Sequence, residues 1–273
     1  MTQKNIIHLK DCIQGMNSLP AQSIDIVVTS PPYNLGIEYG TYKDDKPRQE
    51  YLKWLKDVFQ AVKHCLKDNG HFWLNVGYSN ADPWVAMDVA QVARDCFILQ
   101  NNIMWVKSIY VNGKTSGHFK PINSKRYVSP TWEHLFHFTK NGTVELDRLA
   151  VGVPYEWYEA NLRNPKTKQT KPNIRCKGNT WFIPYDTISN KAKHRGNHPA
   201  TYPVSLVEEC IKISRLSKGL LLDPFMGSGT SAIAAIRQGL DYIGFDIDQN
   251  YIDFAEDRIS EEKKNSLFEE ISS

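Results

Sequence analysis

The chain has 273 residues, of which 41% are hydrophobic and 23% are charged, and its 33 Lys and Arg nearly balance 30 Asp and Glu. These values are typical of a folded globular protein and exclude disordered and fibrous classes, and the length suffices for one large α/β domain with an insertion or for two small domains. No run approaches the roughly 18 consecutive apolar residues of a membrane span, and residues 1–5 are polar rather than those of a signal peptide, so we expect a cytoplasmic protein with no membrane partner.

In the first half of the chain, strand and helix patterns alternate. A short helix or turn ending at Pro20 is expected between the first two strands, which gives a βαβ-like start. Apolar residues at helical spacing predict a helix over 49–68, with Gly70 as a stop, and a second helix from Asp82, an N-cap followed by Pro83, to about residue 95. Apolar, β-branched runs predict strands, the last two as an antiparallel pair, over 5–11, 24–30, 71–76, 97–107 and 133–139.

The second half begins with a segment in which this pattern decays. From about residue 139 to 198 the sequence is rich in Asn, Lys, Pro and Gly and has few periodic apolar positions, which predicts an inserted segment. Regular patterns then return as helix, strand, helix, strand and helix, over 204–217, 220–224, 230–238, 242–247 and 250–263. The alternation predicts an α/β fold with a mostly parallel sheet covered by helices on both faces.

The charges are distributed unevenly along the chain. Residues 101–198 carry 16 Lys and Arg against six Asp and Glu, a net of +10, whereas residues 1–100 have a net of −1 and residues 199–273 a net of −6. Within the basic third, cations alternate with aromatic and amide residues, as at 120–127 and 166–175. This pattern favours a surface that contacts a phosphate backbone, although a merely solvated basic face would have the same composition.

Neither cysteines nor histidines are spaced as metal ligands. The five cysteines are odd in number and never form Cys-x-x-Cys, so we expect buried reduced thiols rather than disulfides or zinc ligands. Four histidines are expected in ordinary surface or core positions, namely His64, His71, His134 and His137. The sequence therefore predicts no metal site.

A glycine-rich turn follows the predicted strand 220–224. Gly227 and Gly229 lack Cβ atoms and let the backbone approach a ligand closely where the strand gives way to a helix. Nineteen residues after Gly227, Asp246 lies at the tip of the next strand, where such an acid accepts hydrogen bonds from ribose hydroxyls. A Walker phosphate loop is excluded because no Gly-Lys-Ser/Thr follows, and the three-glycine dinucleotide fingerprint is also missing. The pattern predicts a nucleoside-containing cofactor.

A second loop follows the strand 24–30 and contains two consecutive prolines. Pro31 and Pro32 fix the backbone and carry no N–H, so nearby carbonyls point outward as acceptors. A primary amino group on a base offers two N–H donors, which the Pro31 carbonyl and the Ser30 oxygen could accept while Tyr33 stacks on the base. A rigid turn with a half-buried tyrosine would need the same residues.

These motifs resemble those of the DNA amino-methyltransferases that use S-adenosylmethionine. In that family Ser-Pro-Pro-Tyr is the catalytic motif and Asp-Pro-Phe-x-Gly-Ser-Gly-Thr the cofactor motif, and a His-Pro segment upstream closes over the methionine part. The resemblance implies these catalytic residues: Ser30, Pro31, Pro32 and Tyr33. It implies these cofactor-binding residues: Asp11, His198, Pro199, Ala200, Thr201, Asp223, Pro224, Phe225, Gly227, Ser228, Gly229, Thr230 and Asp246.

The order of the motifs resembles the β group of this family, because the catalytic motif comes first and the cofactor motif last. It implies a Rossmann-like class I methyltransferase fold with a mostly parallel seven-stranded sheet and a circularly permuted motif order. Residues 133–140 match a late core strand. The implied parts are 1–139 (catalytic), 140–196 (target-recognition insertion) and 197–273 (cofactor-binding).

The resemblance also implies a reaction. A base flipped out of double-stranded DNA attacks the methyl group of S-adenosylmethionine directly through its amino nitrogen, which yields S-adenosylhomocysteine and needs neither a covalent intermediate nor a metal. A cognate restriction endonuclease is implied as a functional partner, and a homodimer is compatible with the family. Methylation of a ring carbon needs a cysteine after a proline, and none of the five cysteines follows proline.

Several alternatives stay open. Ser30 in the first motif position favours cytosine N4, but Asn34-Leu35-Gly36 is also familiar from adenine N6 enzymes. Methylation of RNA or of a protein amide is disfavoured by the motif order, and a catalytically silent nucleic-acid-binding module is disfavoured by the intact motifs. Residues 181–184 (Trp-Phe-Ile-Pro) could insert into DNA or stack on a displaced base, but a local hydrophobic anchor is the favoured interpretation.

Overall fold

A computed structural model of the chain describes residues 3–37, 41–117, 122–155, 173–184 and 202–272, with side chains up to residue 265 in the last range. The strands are β1 (Ile6–Leu9), β2 (Ile24–Thr29), β3 (Leu66–Val76), β4 (Ile98–Val106), β5 (Ser108–Val111), β6 (Lys114–Gly117), β7 (Trp132–Thr139), β8 (Thr180–Phe182), β9 (Leu220–Asp223) and β10 (Asp241–Asp246). The helices are α1 (Cys12–Asn17), α2 (Arg48–Cys65), α3 (Val85–Arg94), α4 (Val204–Ile213), α5 (Thr230–Arg237) and α6 (Gln249–Ser272).

Eight strands form the central sheet, in the order β1-β10-β9-β2-β3-β7-β4-β8. Strand β7 runs antiparallel to both of its neighbours, and the other pairs in this sheet are parallel. The predicted mostly parallel α/β fold and the late antiparallel pair, now β4 and β7, are confirmed. Strands β5 and β6 form a separate two-stranded ribbon.

The sheet is covered on both faces because its central strands are apolar on both sides. Ile26, Val27 and Val28 of β2 are at most 3% exposed, as expected for a parallel strand between helical layers. Helices α1, α2 and α3 pack on one face, where Leu55 and Phe59 belong to the buried cluster. Helices α4, α5 and α6 cover the other face.

Strand β8 was not predicted and makes the sheet eight-stranded rather than seven-stranded. It pairs in parallel with β4, with Trp181 opposite Trp105, and lies within the segment expected to be an insertion. Trp181 is 1% exposed, and its Nε1 donates to the Gly178 carbonyl at 3.0 Å. Trp181 is therefore a hydrophobic anchor, as favoured above, because its indole fills the core beside Trp73.

Three further expectations were wrong in detail. Helix α3 begins at Val85 after Trp84, which makes no side-chain cap, because the Asp82 carboxylate pairs with Arg48 instead of capping the helix. Cys176 is exposed, whereas the other four cysteines are buried. Helix α6 extends to Ser272 rather than to about residue 263. Within the described ranges, no helix combines the length and apolar character needed to cross a membrane.

Candidate active site

Adjacent pairing of β2 and β9 brings the two predicted motifs together. Ile26 lies opposite Leu221 although 195 positions separate them in the chain. Because both strands run in the same direction, the loops that follow them leave the same edge of the sheet, where open α/β sheets place ligands. Thr29 Oγ1 donates to Asp223 Oδ1 at 2.6 Å, and this buried hydrogen bond ties the starts of the two loops.

Asp223 is buried behind the site and connects its elements through hydrogen bonds, and it does not line the cleft. Its carboxylate accepts hydrogen bonds from the hydroxyls of Thr29, Ser231 and Tyr202, at 2.6, 2.6 and 3.0 Å, and from the Phe225 N–H at 3.0 Å. Burial raises the pKa of this carboxyl, and the four hydrogen bonds act in the opposite direction. Four donors around one acid match the acceptor capacity of an ionised carboxylate.

One cleft, with a volume of about 160 Å³, is bounded by residues of both motifs. The predicted site residues that line it are Asp11, Ser30, Pro31, Pro32, Tyr33, Pro224, Phe225, Gly227, Ser228, Thr230 and Asp246. The structure places Asp223 and Gly229 outside the lining, and His198, Pro199, Ala200 and Thr201 lie outside the described residues.

The glycine turn is held in place by Asp246. One carboxylate oxygen of Asp246 accepts from the Gly227 N–H and the other from the Asp248 N–H, each at 2.9 Å. Burial raises the pKa of Asp246, and the hydrogen bonds oppose that shift. Gly229 has a φ of 77°, and a Cβ there would lie 2.9 Å from the Ala255 side chain, so glycine is required for the turn to pack on α6.

The Ser30–Tyr33 loop also lines the cleft and has a polar network behind it. Tyr33 Oη lies 2.7 Å from Ser30 Oγ, 3.1 Å from Asn75 Oδ1 and 3.3 Å from Glu133 Oε2. Glu133 Oε1 accepts from Lys107 Nζ at 2.7 Å. Because the Asn75 and Glu133 oxygens can only accept, the Tyr33 proton goes to one of them, and Tyr33 Oη accepts the Ser30 proton in turn. Ser30 Oγ then faces the cleft with lone pairs.

The backbone of the same loop is fixed by a tyrosine and an aspartate. Tyr51 Oη donates to the Pro32 carbonyl at 2.8 Å, and within the described part of the chain no group donates to the Pro31 carbonyl. The buried Asp44 carboxylate accepts from the N–H groups of Asn34, Leu35 and Ile37 at 2.8 to 3.2 Å. The loop is thus rigid, and its Pro31 carbonyl stays available as an acceptor.

The sequence reasoning missed several residues of this site. Asn75 is a buried polar residue near the carboxyl end of β3, and that combination could have indicated it. Glu133, Lys107 and Asp44 gave no such signal because they come from distant loops and strands. Trp54 also lines the cleft and contacts Phe225 at a centroid distance of 5.6 Å. In the described ranges, no group of three or more His, Cys, Asp or Glu is arranged to hold a metal ion.

Comparison with known proteins identifies the family. A family model described as DNA methylase (N6/N4 methyltransferase) matches residues 24–257. The chain belongs to this N6/N4 DNA methylase family. It is therefore a DNA amino-methyltransferase, and enzymes of this family take their methyl group from S-adenosylmethionine. The match includes both the Ser30–Tyr33 loop and the glycine turn.

Curated relatives cover nearly the whole chain. The Type II methyltransferase M.ScaI of Streptomyces caespitosus is 31% identical over 98% of this chain and 84% of its own length. The DNA adenine methyltransferase YhdJ of Escherichia coli (strain K12) is 26% identical over 91% of this chain and 80% of its own. Methylases of the restriction-modification type are thus among its relatives.

Solved structures show the same fold. The PvuII DNA methyltransferase, named as cytosine-N4-specific, superposes with a TM-score of 0.70 at 20% identity and covers 96% of this chain and 92% of its own. A putative DNA modification methylase of Thermus thermophilus, solved in complex with S-adenosylmethionine, superposes with a TM-score of 0.62 at 22% identity, with 94% and 93% covered. These likenesses place the chain in the class I methyltransferase fold.

Proposed function

We propose that this N6/N4 DNA methylase transfers a methyl group from S-adenosylmethionine to the exocyclic N4 of a cytosine flipped out of duplex DNA. The observation that carries the proposal is one cleft lined both by Ser30, Pro31 and Tyr33 and by the glycine turn. We assign these two parts of the lining as its catalytic wall and its cofactor wall. A donor and an acceptor bound on these two walls would meet without crossing bulk solvent.

The cofactor wall has the chemistry that a methylated nucleoside sulfonium requires. Acidic acceptors at Asp11 and Asp246 suit ribose hydroxyls and ammonium groups, and the aromatic residues Phe225, Phe245 and Tyr251 offer surfaces for a purine ring. When bound, S-adenosylmethionine supplies an electrophilic methyl group. The residues of the chain bind it, orient it and exclude water.

On the catalytic wall the chain supplies acceptors. The lone pair of a base amino group is delocalised into the ring in the ground state and must localise on nitrogen before it can attack. Ser30 Oγ, with its proton turned toward Tyr33, and the Pro31 carbonyl both accept N–H donors, which favours the tetrahedral nitrogen of the transition state. The Tyr33 ring would stack on the flipped base.

Cytosine is favoured over adenine by the serine at the first position of the catalytic motif. In the family that serine is typical of N4 enzymes, and the PvuII enzyme is named as cytosine-N4-specific. Adenine N6 is the alternative, supported by Asn34-Leu35-Gly36 and by the similarity to a DNA adenine methyltransferase.

A nucleoside assay tests the proposal. The protein is incubated with mixed-sequence duplex DNA and S-adenosylmethionine, and the DNA is digested for mass spectrometry, with Ser30→Ala as the inactive control. Detection of N4-methylcytosine supports the proposal. Detection of N6-methyladenine instead would show that the enzyme methylates adenine N6 and not cytosine N4. Binding of the cofactor without any methylated nucleoside favours a silent DNA-binding module.

We further propose that residues 140–196 read the target sequence, since the middle third of the chain is strongly basic. By analogy with the Type II methyltransferases it resembles, the enzyme would protect DNA in the cytoplasm from a cognate restriction endonuclease, as a monomer or homodimer. Exchange of 140–196 with the matching segment of a relative should transfer sequence specificity, and unchanged specificity would contradict this role.

A further inference from the structure

The β5–β6 ribbon stands apart from the main sheet and exposes large apolar side chains. Its two strands pair from Ser108 opposite Gly117 to Val111 opposite Lys114. Ile109 is 38% exposed, Tyr110 67% and Val111 50%, so apolar surface lies on both faces of the ribbon. A two-stranded ribbon without a covering layer is only marginally stable in water, and these side chains would be better accommodated against a partner.

The ribbon projects from the edge of the sheet that carries the catalytic loop. Its first strand begins two residues after the end of β4, which runs in the same direction as β2. Lys107, between β4 and β5, contacts Glu133, and Glu133 contacts Tyr33. The base of the ribbon is therefore two side-chain contacts away from the catalytic tyrosine.

The sequence that flanks the ribbon is basic. Residues 96–132 contain five Lys and Arg but no Asp or Glu. Lys114 lies at the ribbon turn, and Lys125 and Arg126 are exposed on the segment that returns to β7. Apart from Glu133, which pairs with Lys107, the sequence around the ribbon contributes cations and no acid. Exposed apolar side chains beside cations complement a polyanion that also exposes base edges and sugars, and duplex DNA is the polyanion on which this family acts.

We propose that the β5–β6 ribbon enters a groove of the duplex beside the flipped base, with Tyr110 against bases or sugars and Lys114 against a phosphate. A four-residue ribbon is about 13 Å long, and the major groove is about 12 Å wide and 8.5 Å deep and admits a two-stranded ribbon. This inference rests on the proposed function and adds a DNA contact outside the segment 140–196.

The apolar contact is tested with Tyr110→Ala and the conservative Tyr110→Phe. Affinity for a fluorescein-labelled duplex of random sequence, measured by anisotropy with S-adenosylhomocysteine present, should fall about five- to tenfold for Tyr110→Ala and little for Tyr110→Phe. Leu99→Ala is the matched control, because Leu99 is 47% exposed at the opposite end of β4. It should bind DNA like the unaltered protein.

The ionic contact is tested by salt dependence. Loss of one phosphate contact in Lys114→Gln should lower the magnitude of the slope of log affinity against log salt concentration by about 0.9. Lys63→Gln, near the C-terminal end of α2, is the control and should leave the slope unchanged. Calorimetric titration with S-adenosylhomocysteine should give the same affinity for all variants, which shows that the fold and the cofactor site are intact.

The result that overturns the inference is unchanged DNA affinity and salt slope in Tyr110→Ala and Lys114→Gln. An equal loss of affinity in the Leu99 and Lys63 controls would overturn it as well. Failure of the proposed function looks different, because the unaltered protein would then produce no methylated nucleoside from duplex DNA, whatever the ribbon variants do.

Discussion

Replacement of Tyr33 by phenylalanine isolates the role of one hydroxyl group in the catalytic loop. Tyr33 Oη accepts the Ser30 proton at 2.7 Å and passes its own proton toward Asn75 or Glu133, at 3.1 and 3.3 Å. Without this acceptor, the Ser30 hydroxyl is free to turn its proton toward the amino group of the substrate. Ser30 then opposes the transition state that it should stabilise.

The expected loss of methyl-transfer rate follows from the interactions that each variant removes. One hydrogen bond between neutral groups contributes about 0.5–1.5 kcal/mol, so Tyr33→Phe should slow methyl transfer about two- to twelvefold. Tyr33→Ala also removes the ring, and a base stacked on an aromatic side chain is worth about 1–3 kcal/mol. That variant should therefore be at least about fivefold slower than Tyr33→Phe.

Single-turnover methylation with excess enzyme measures the chemical step, and calorimetry measures the affinity for S-adenosylmethionine. Both variants should bind the cofactor like the unaltered protein, because Tyr33 belongs to the proposed catalytic wall of the cleft and not to the proposed cofactor wall. A wild-type rate for Tyr33→Phe would refute the assigned direction of the Ser30 proton. A parallel fall in cofactor affinity would refute the division of the cleft into two walls.

Three other predictions concern cofactor binding and stability. Asp246→Ala removes the carboxylate that accepts from the Gly227 N–H of the glycine turn and from the Asp248 N–H after β10. Cofactor affinity should therefore fall about a hundredfold by calorimetry, well beyond the change in single-turnover rate, and equal losses would contradict this. Thr29→Val removes the buried hydrogen bond to Asp223 and should cost about 2 kcal/mol, or about 3–4 °C in the calorimetric midpoint, and Thr29→Ser should retain most of it. Burial lowers the pKa of His71 to about 4 and that of His137 to about 3. Below about pH 6.5 the unfolded chain therefore binds more protons than the folded protein. The free energy of unfolding, measured by urea titration, should fall as the pH is lowered from 6.5 toward 4. For His71 alone, the difference between its unfolded and folded pKa corresponds to about 3 kcal/mol of stability. If the free energy of unfolding of His71→Gln depends on pH as steeply as that of the unaltered protein, His71 is not the source of the pH dependence.

Local patterns were sufficient to predict most of the elements. Strand β2 and helix α2 lie within one residue and within three residues of their predicted bounds, because apolar spacing encodes which side of an element is buried. Strand β8 was missed because three residues are too short for a periodic signal. Its position depends on Trp181 reaching the core beside β4, which is a tertiary contact.

The site divides in the same way. The Ser30–Tyr33 loop and the glycine turn were found because prolines and glycines restrict or free the backbone locally, and that chemistry can be read along the chain. Glu133 is 100 positions from Tyr33, and nothing near it in the sequence predicts their contact. The family resemblance predicts Asp223 as a cofactor-binding residue, and the structure adds that its carboxylate joins β2 and α5 to β9.

The sequence by itself determined the α/β class, the two motif loops and the basic middle third, because each depends on residue type and short-range spacing. Only the tertiary structure decided that both loops line one cleft, that Ser30 faces it as an acceptor, and that the β5–β6 ribbon stands beside it. Those properties depend on which strands pair and on which buried polar groups satisfy one another, and both are set by the packing of the whole sheet rather than by any local segment.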